Sequence, residues 1–79
     1  MKVALHCFGM LKDLLPPEST EGRLTLRLPE GASVNDAVLA AGLPPGKINA
    51  ILLGSAPATL ESLLIDGSEV TLMPQFTGG

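Results

Sequence analysis

The sequence predicts an α+β fold in which a mixed sheet of four to five strands wraps around one main helix. Three observations carry this expectation. The stretch "RLTLRLP" (23–29) alternates strictly, with Leu24, Leu26 and Leu28 on one side and Arg23, Thr25 and Arg27 on the other, the period of a strand with one covered face. The stretch "PEGASVNDAVLAAGLPP" (29–45) holds the one substantial helical stripe, with an N-cap before it and a breaker after it. The remaining apolar runs are short and bounded by turn residues, so the element order is strand, strand, helix, strand, strand.

Taken in order, "KVALHCF" (2–8) carries apolar residues on both faces and reads as a central strand covered on both sides. In "GMLKDLLPP" Leu11, Leu14 and Leu15 stand at i, i+3 and i+4, a short helical turn halted by Pro16 and Pro17. "ESTEG" is a polar loop leading to the second strand. In the main helix Ser33 is the N-cap, with Asp36 three residues on as a near match to a capping box. Val34, Ala37, Val38 and Ala41 form its apolar stripe, Gly42 supplies the left-handed residue after it, and Pro44 and Pro45 prevent continuation. "KINAILL" (47–53) is the third strand, "GSAP" a turn, "TLESLL" a short helical turn or an irregular segment, "DGSE" (66–69) a tight turn and "VTLMP" (70–74) the last strand. The first two strands suit an antiparallel hairpin, and strands separated by a helix suit a parallel arrangement. This is the β-grasp arrangement seen in ubiquitin. The domain is expected over residues 1–74, with a flexible Gly-Gly tail over 75–79.

Composition narrows the function. The chain has 79 residues, enough for a single domain, and 46% of them are hydrophobic. A mean hydropathy of +0.39 fits either exposed apolar surface kept for a partner or a simple Leu and Ala richness. With a net charge of −3 and five Lys and Arg residues, no basic face for nucleic acid is expected. No apolar run reaches the ~20 residues that span a bilayer, and "MKVALHCFG" is too short and too weakly charged for a signal peptide. The single cysteine excludes an intramolecular disulfide, and a cytoplasmic location is expected.

Side-chain catalysis has little to work with. His6 and Cys7 are neighbours on a predicted strand and point to opposite faces, so they do not hold one metal together. Cys7 reads as a small core residue and His6 as a packing or surface residue. Asp66 and Glu69 are paired carboxylates only on paper, because "DGSE" is turn chemistry first. Phosphate-loop, dinucleotide-loop and C-x-x-C motifs are missing. The chain is therefore not expected to be an enzyme on its own, and no catalytic residue or metal site is assigned.

What remains is "MPQFTGG". Proline ends the last strand, since it cannot donate to the ladder, and Gln75 to Gly79 then extend up to roughly 17 Å. Gly78 and Gly79 lack Cβ atoms and suit a channel too narrow for a side chain. The group delivered this way is the α-carboxylate of Gly79. It becomes reactive once a partner converts it to an acyl-adenylate, which sulfide opens to a thiocarboxylate and an amine opens to an amide. A loose end remains the plain alternative on composition alone.

"LIDGSEVTLMPQFTGG" resembles the C-terminal signature of ubiquitin-like sulfur carriers, in which a leucine, a "DGDEV"-type turn, a short apolar strand, proline and a terminal Gly-Gly follow in order. Asp66, Gly67, Glu69, Val70, Pro74, Gly78 and Gly79 match; "LPEGASVNDAV" resembles the family's entry into its helix and "INAILL" its third strand. Ser68 replaces the usual second acid, "PQFTGG" lacks the double proline common in the molybdopterin branch, and Gly54-Ser55 stand where Asn-Gly often occurs.

The resemblance implies adenylylation and thiocarboxylation at Gly79, with Gly78 and Thr77 threading the tail; partner contacts are expected from Met73, Pro74 and Phe8 near the outward sheet face and from Phe76, which either anchors the tail at the channel mouth or folds back on the domain's own core. If Leu72 faces the helix, Thr71 and Met73 face outward, with Phe8 or His6 beside them. It also implies an E1-like adenylyltransferase using ATP and Mg²⁺, a sulfurtransferase, and a sulfur-accepting synthase subunit. No permanently bound cofactor, nucleic acid or membrane is implied. The helical insert "GMLKDLLPPESTEG" favours the small subunit of molybdopterin synthase, in molybdenum cofactor biosynthesis. The alternatives are a carrier for thiamine thiazole, a tungsten cofactor or another sulfur metabolite, or a protein modifier forming isopeptide bonds.

Overall fold

Every second residue of the first strand, β1 (Lys2–Cys7), is buried: Val3, Leu5 and Cys7 turn one way, while Lys2 and Ala4 face solvent. The same period continues in β2 (Arg23–Arg27) and β5 (Glu69–Pro74), where Leu24, Val70 and Leu72 join that buried side. The computed structural model describes residues 1–75. Its remaining elements are the single turn α1 (Met10–Asp13), the main helix α2 (Val34–Ala40), a 3-10 turn (Pro45–Lys47), β3 (Ile48–Leu53) and β4 (Ala56–Ala58).

The strands form one sheet in the order β2-β1-β5-β3-β4. β1 pairs antiparallel with β2, matching Lys2 to Arg27 and His6 to Arg23, and parallel with β5, matching His6 to Thr71. β3 is antiparallel to both β5 and β4. A parallel pair needs a long crossover, and here the chain from β1 to β5 includes α2. The parallel contact thus falls on β1 and β5, the first and last strands. β2 and β3, which flank the helix in sequence, are not neighbours.

Helix α2 is fastened at both ends. Ser33 Oγ accepts from the Asp36 N–H at 3.2 Å, and the Asp36 carboxylate accepts from the Ser33 N–H at 2.8 Å, so Asp completes the capping box. After the helix Gly42 has φ 76°, its N–H donates to the Leu39 carbonyl, and the Leu43 N–H reaches the Val38 carbonyl, a Schellman ending. Val34, Ala37, Val38 and Ala41 are buried as the stripe predicts, and they share one core with Leu5, Leu11, Leu43, Leu64 and Leu72.

Two expectations need correction. β1 lies centrally, but only one of its faces is covered, because a single helix caps a single side of the sheet; the other side presents Lys2 and Ala4, with His6 half-buried. The "GSAP" turn is shorter than read, since Ala56 and Pro57 already belong to edge strand β4, where a missing N–H is tolerated. Of the two readings left open for residues 59–64 the irregular one holds; the segment runs beside the start of α2, with Val34 and Asn35 N–H groups donating to the Ser62 and Leu60 carbonyls. The high hydropathy has a surface counterpart: Phe8, Met10, Leu14, Leu39, Leu63, Ile65 and Met73 are all exposed.

Candidate functional site at the strand root and open sheet face

The last strand decides where the C-terminal segment leaves the domain. Alternation along β5 puts Val70, Leu72 and Pro74 on the covered side and Thr71 and Met73 on the open side. Pro74 pairs with Ile48 but has no N–H to give, so the next bond is made by Gln75, whose N–H donates to the Lys47 carbonyl at 3.1 Å. Gln75, the first residue assigned to the tail, is therefore still tied to the lead-in of β3. Phe76, Thr77, Gly78 and Gly79 lie outside the described residues.

On its other flank Pro74 meets Gly9. This glycine caps α1 with φ 57° and ψ −137°, a conformation for which an L side chain is poorly suited. A Cβ there would come 2.8 Å from Pro74 Cγ. The Phe8 N–H donates to the Leu72 carbonyl at 3.3 Å just before it. Pro74 is thus buried as a wedge at the strand's end and contributes no open surface, because its place in the alternation turns it away from Met73.

The open face is built by register. Met73 lies opposite Ala50, and Thr71 lies opposite both Leu52 and His6. Leu52 in turn faces Pro57 on β4. Phe8 follows His6 by two residues, and their rings stand 4.3 Å apart at 44°. Phe8, His6 and Met73 therefore come to the same open side of the sheet, as expected. A shallow depression over Ala4 is lined by His6, Arg23, Thr25, Glu69 and Thr71.

Charge on this face is uneven. Lys2 sits opposite Arg27, and Arg23 opposite His6, so three of the chain's five cations gather on the β1–β2 half. Like charges opposite one another on a sheet are unfavourable by about 0.2–1 kcal/mol per pair.

The other sequence candidates are structural. Cys7 is buried on the covered side, and burial pushes its thiol up to about 11, which suppresses the reactive thiolate. Among the described residues no group of three or more His, Cys, Asp or Glu side chains could hold a metal ion. Asp66 accepts from the Lys2 N–H at 2.7 Å, binding the turn to β1. Ser68 is buried and its hydroxyl accepts from the Ile65 N–H at 2.9 Å, while the Ser68 N–H donates to the Ile65 carbonyl. Serine in place of an acid therefore closes this turn upon itself. Sequence reasoning missed Gly9 and Lys47. A glycine directly after an apolar strand was the available signal for Gly9; Lys47 acts through its carbonyl and leaves none.

Sheet order, single crossing helix and strand-borne C-terminal root define a ubiquitin-like β-grasp protein. The chain belongs to the Mut7-C ubiquitin family, whose sequence model matches residues 1–78. Solved structures show the same fold at low identity. Small archaeal modifier protein 1 of Haloferax volcanii superposes with a TM-score of 0.73 at 20% identity, over 100% of both chains. A Pyrococcus furiosus protein described as molybdopterin converting factor, subunit 1, gives 0.67 at 18% identity, over 95% of this chain and 98% of that one. No curated protein sequence matches. No helix among the described residues is long and apolar enough to cross a membrane.

Proposed function

We propose that this chain is a ubiquitin-like sulfur carrier that presents the Gly79 carboxylate to partner enzymes and does no catalysis with its own side chains. The observation that carries the reading is the strand root: Pro74 wedged beside Gly9, and Gln75 bonded to Lys47, hold the departure point beside the exposed Phe8–Met73 side of the sheet. Four residues follow that anchor, a span of at most ~14 Å when extended. Transfer of AMP from ATP to the Gly79 carboxylate releases pyrophosphate, and sulfide then displaces AMP to leave a thiocarboxylate. An E1-like adenylyltransferase would supply the first step with Mg²⁺, and a sulfurtransferase, whose persulfide sulfur a thiol reductant releases as sulfide, would feed the second.

In this reading Phe8 and Met73 dock on the partner together with Phe76, and Thr77 and Gly78 thread the channel. Lys2, Arg23 and Arg27 ask for acidic groups on the partner facing β1 and β2. The favoured acceptor is a molybdopterin synthase large subunit or an analogue, which the likeness to the Pyrococcus protein supports. The likeness to the Haloferax modifier supports a second reading, an isopeptide-forming modifier that uses the same activated carboxylate.

The test is intact-mass analysis of the protein isolated from its native cells and after incubation with its activating enzyme, ATP, Mg²⁺ and sulfide. The expected product gains the mass difference of one sulfur for one oxygen at Gly79. Deleting Gly79, or adding a residue after it, should abolish the gain. A native protein extended beyond Gly79, or a gain that survives the deletion, would sink the reading.

A further inference from the structure

Among the described residues, the most exposed large apolar side chains lie far from the tail root. Ile65 is 74% exposed and Leu63 70%, against 36% for Met73. They flank buried Leu64 in an extended stretch, so both point outward on one side. With Leu53 and Gly54 they line an open groove completed by Asp66, Gly67, Ser68 and Glu69. The groove sits at the Glu69 end of β5, whereas the C-terminal segment leaves from the Pro74 end.

The backbone that presents this pair is ordered. The Leu64 N–H donates to the Ala32 carbonyl, the Ile65 N–H to Ser68 Oγ, and the Val34 N–H to the Ser62 carbonyl. A bridge between Ser33 and Leu63 continues the same seam. Leu63 and Ile65 are thus held out by a fixed frame, and little backbone freedom is lost when something covers them.

Charge selects the occupant. The residues lining the groove include two carboxylates, Asp66 and Glu69, and no Lys or Arg, and Glu61 stands two residues before Leu63. Two copies meeting through this surface would bring these acids together, which disfavours self-association. We infer that the Leu63–Ile65 groove is a docking site for a basic, apolar segment of a partner protein, distinct from the open sheet face and from the tail. A partner held here leaves the Pro74 end free, so carrier and partner stay together while the C-terminus is engaged elsewhere. The inference does not depend on the chemistry at Gly79.

The full chain, labelled with ¹⁵N, would be titrated with a short amphipathic helical peptide whose polar face is all lysine, and with its twin bearing glutamate instead. The lysine peptide should shift amides of Leu53, Gly54 and residues 63–69, with affinity falling as salt rises. Replacing Leu63→Ser and Ile65→Ser together should weaken it by at least about tenfold. Glu69→Lys should weaken the lysine peptide and favour its twin. Equal binding of both peptides, shifts centred on the β1–β2 face, or concentration-dependent dimerisation lost in the double serine variant would each overturn the proposal.

Discussion

Gly9 and Pro74 are packed so closely that a Cβ on the glycine would stand 2.8 Å from the proline Cγ. The first strand's exit and the last strand's end are therefore locked together by a backbone with no side chain. Gly9→Ala meets two penalties, a left-handed φ of 57° and this overlap. The expected loss is roughly 1–3 kcal/mol from the backbone, with more from the clash. Urea denaturation should also show that the cost falls by about 0.5 kcal/mol or more in a Pro74→Ala background, where the Cγ is gone. Strict additivity of the two substitutions would show that the contact is not felt.

Leu11 gives the single-turn α1 its hold on the core, being 0% exposed. Leu11→Ala should cost about 3 kcal/mol. A domain of 79 residues has roughly 4–12 kcal/mol in total, so the variant should unfold at a markedly lower urea midpoint. The exposed neighbour Leu14 provides the contrast, and Leu14→Ala should change stability by about 0.5 kcal/mol or less.

Removal of the capping hydroxyl is a smaller change at a defined place. Ser33→Ala leaves the Asp36 N–H without its side-chain acceptor and should cost about 1 kcal/mol. The thermal midpoint should then fall by roughly 4–8 °C. An unchanged midpoint would mean that the capping box is not formed in solution.

Cys7 predicts an alkaline loss of stability. Its thiol is raised by burial from an ordinary 9.0 to about 11, so the folded protein keeps a proton that the unfolded chain releases. The stabilisation is fully present below pH 9 and declines as pH rises towards 11, because the unfolded state binds fewer protons over that interval. Cys7→Ala should remove that slope while lowering stability at neutral pH. A parallel loss in both proteins between pH 9 and 11 would assign the slope to other groups.

The cations facing one another across β1 and β2 predict opposite effects on stability and on recognition. Arg27→Glu turns the Lys2–Arg27 repulsion into an attraction and should stabilise the isolated domain by up to about 0.5 kcal/mol. If the chain is activated as proposed, the same change should slow its adenylylation, since it removes charge that an acidic partner surface would meet. Denaturation and single-turnover activation assays on the same variant check both halves.

The sequence showed elements whose signal is local and hid those whose signal is a contact. The strict alternation of 23–29 and the Ser33–Asp36 cap announced β2 and α2 because each is decided within a few residues. Edge strand β4 was hidden by Pro57, which reads as a turn until its place at the sheet margin is known. In "SLLID" three apolar residues follow in a row, and only packing beside α2 decides that Leu64 turns in while Leu63 and Ile65 turn out. The open-side placement of Met73 and Phe8 was legible from alternation. The wedge formed by Pro74 was not, because its partner Gly9 lies far away in sequence.

The position of β5 between β1 and β3 has a mechanical meaning. A partner that draws on the C-terminus pulls along the axis of a strand bonded on both sides. The load then falls on the two ladders together, in shear, instead of peeling bonds apart one at a time as it would at an edge. The Gln75–Lys47 bond is the first to feel such a pull, and it can open without loosening the core behind it.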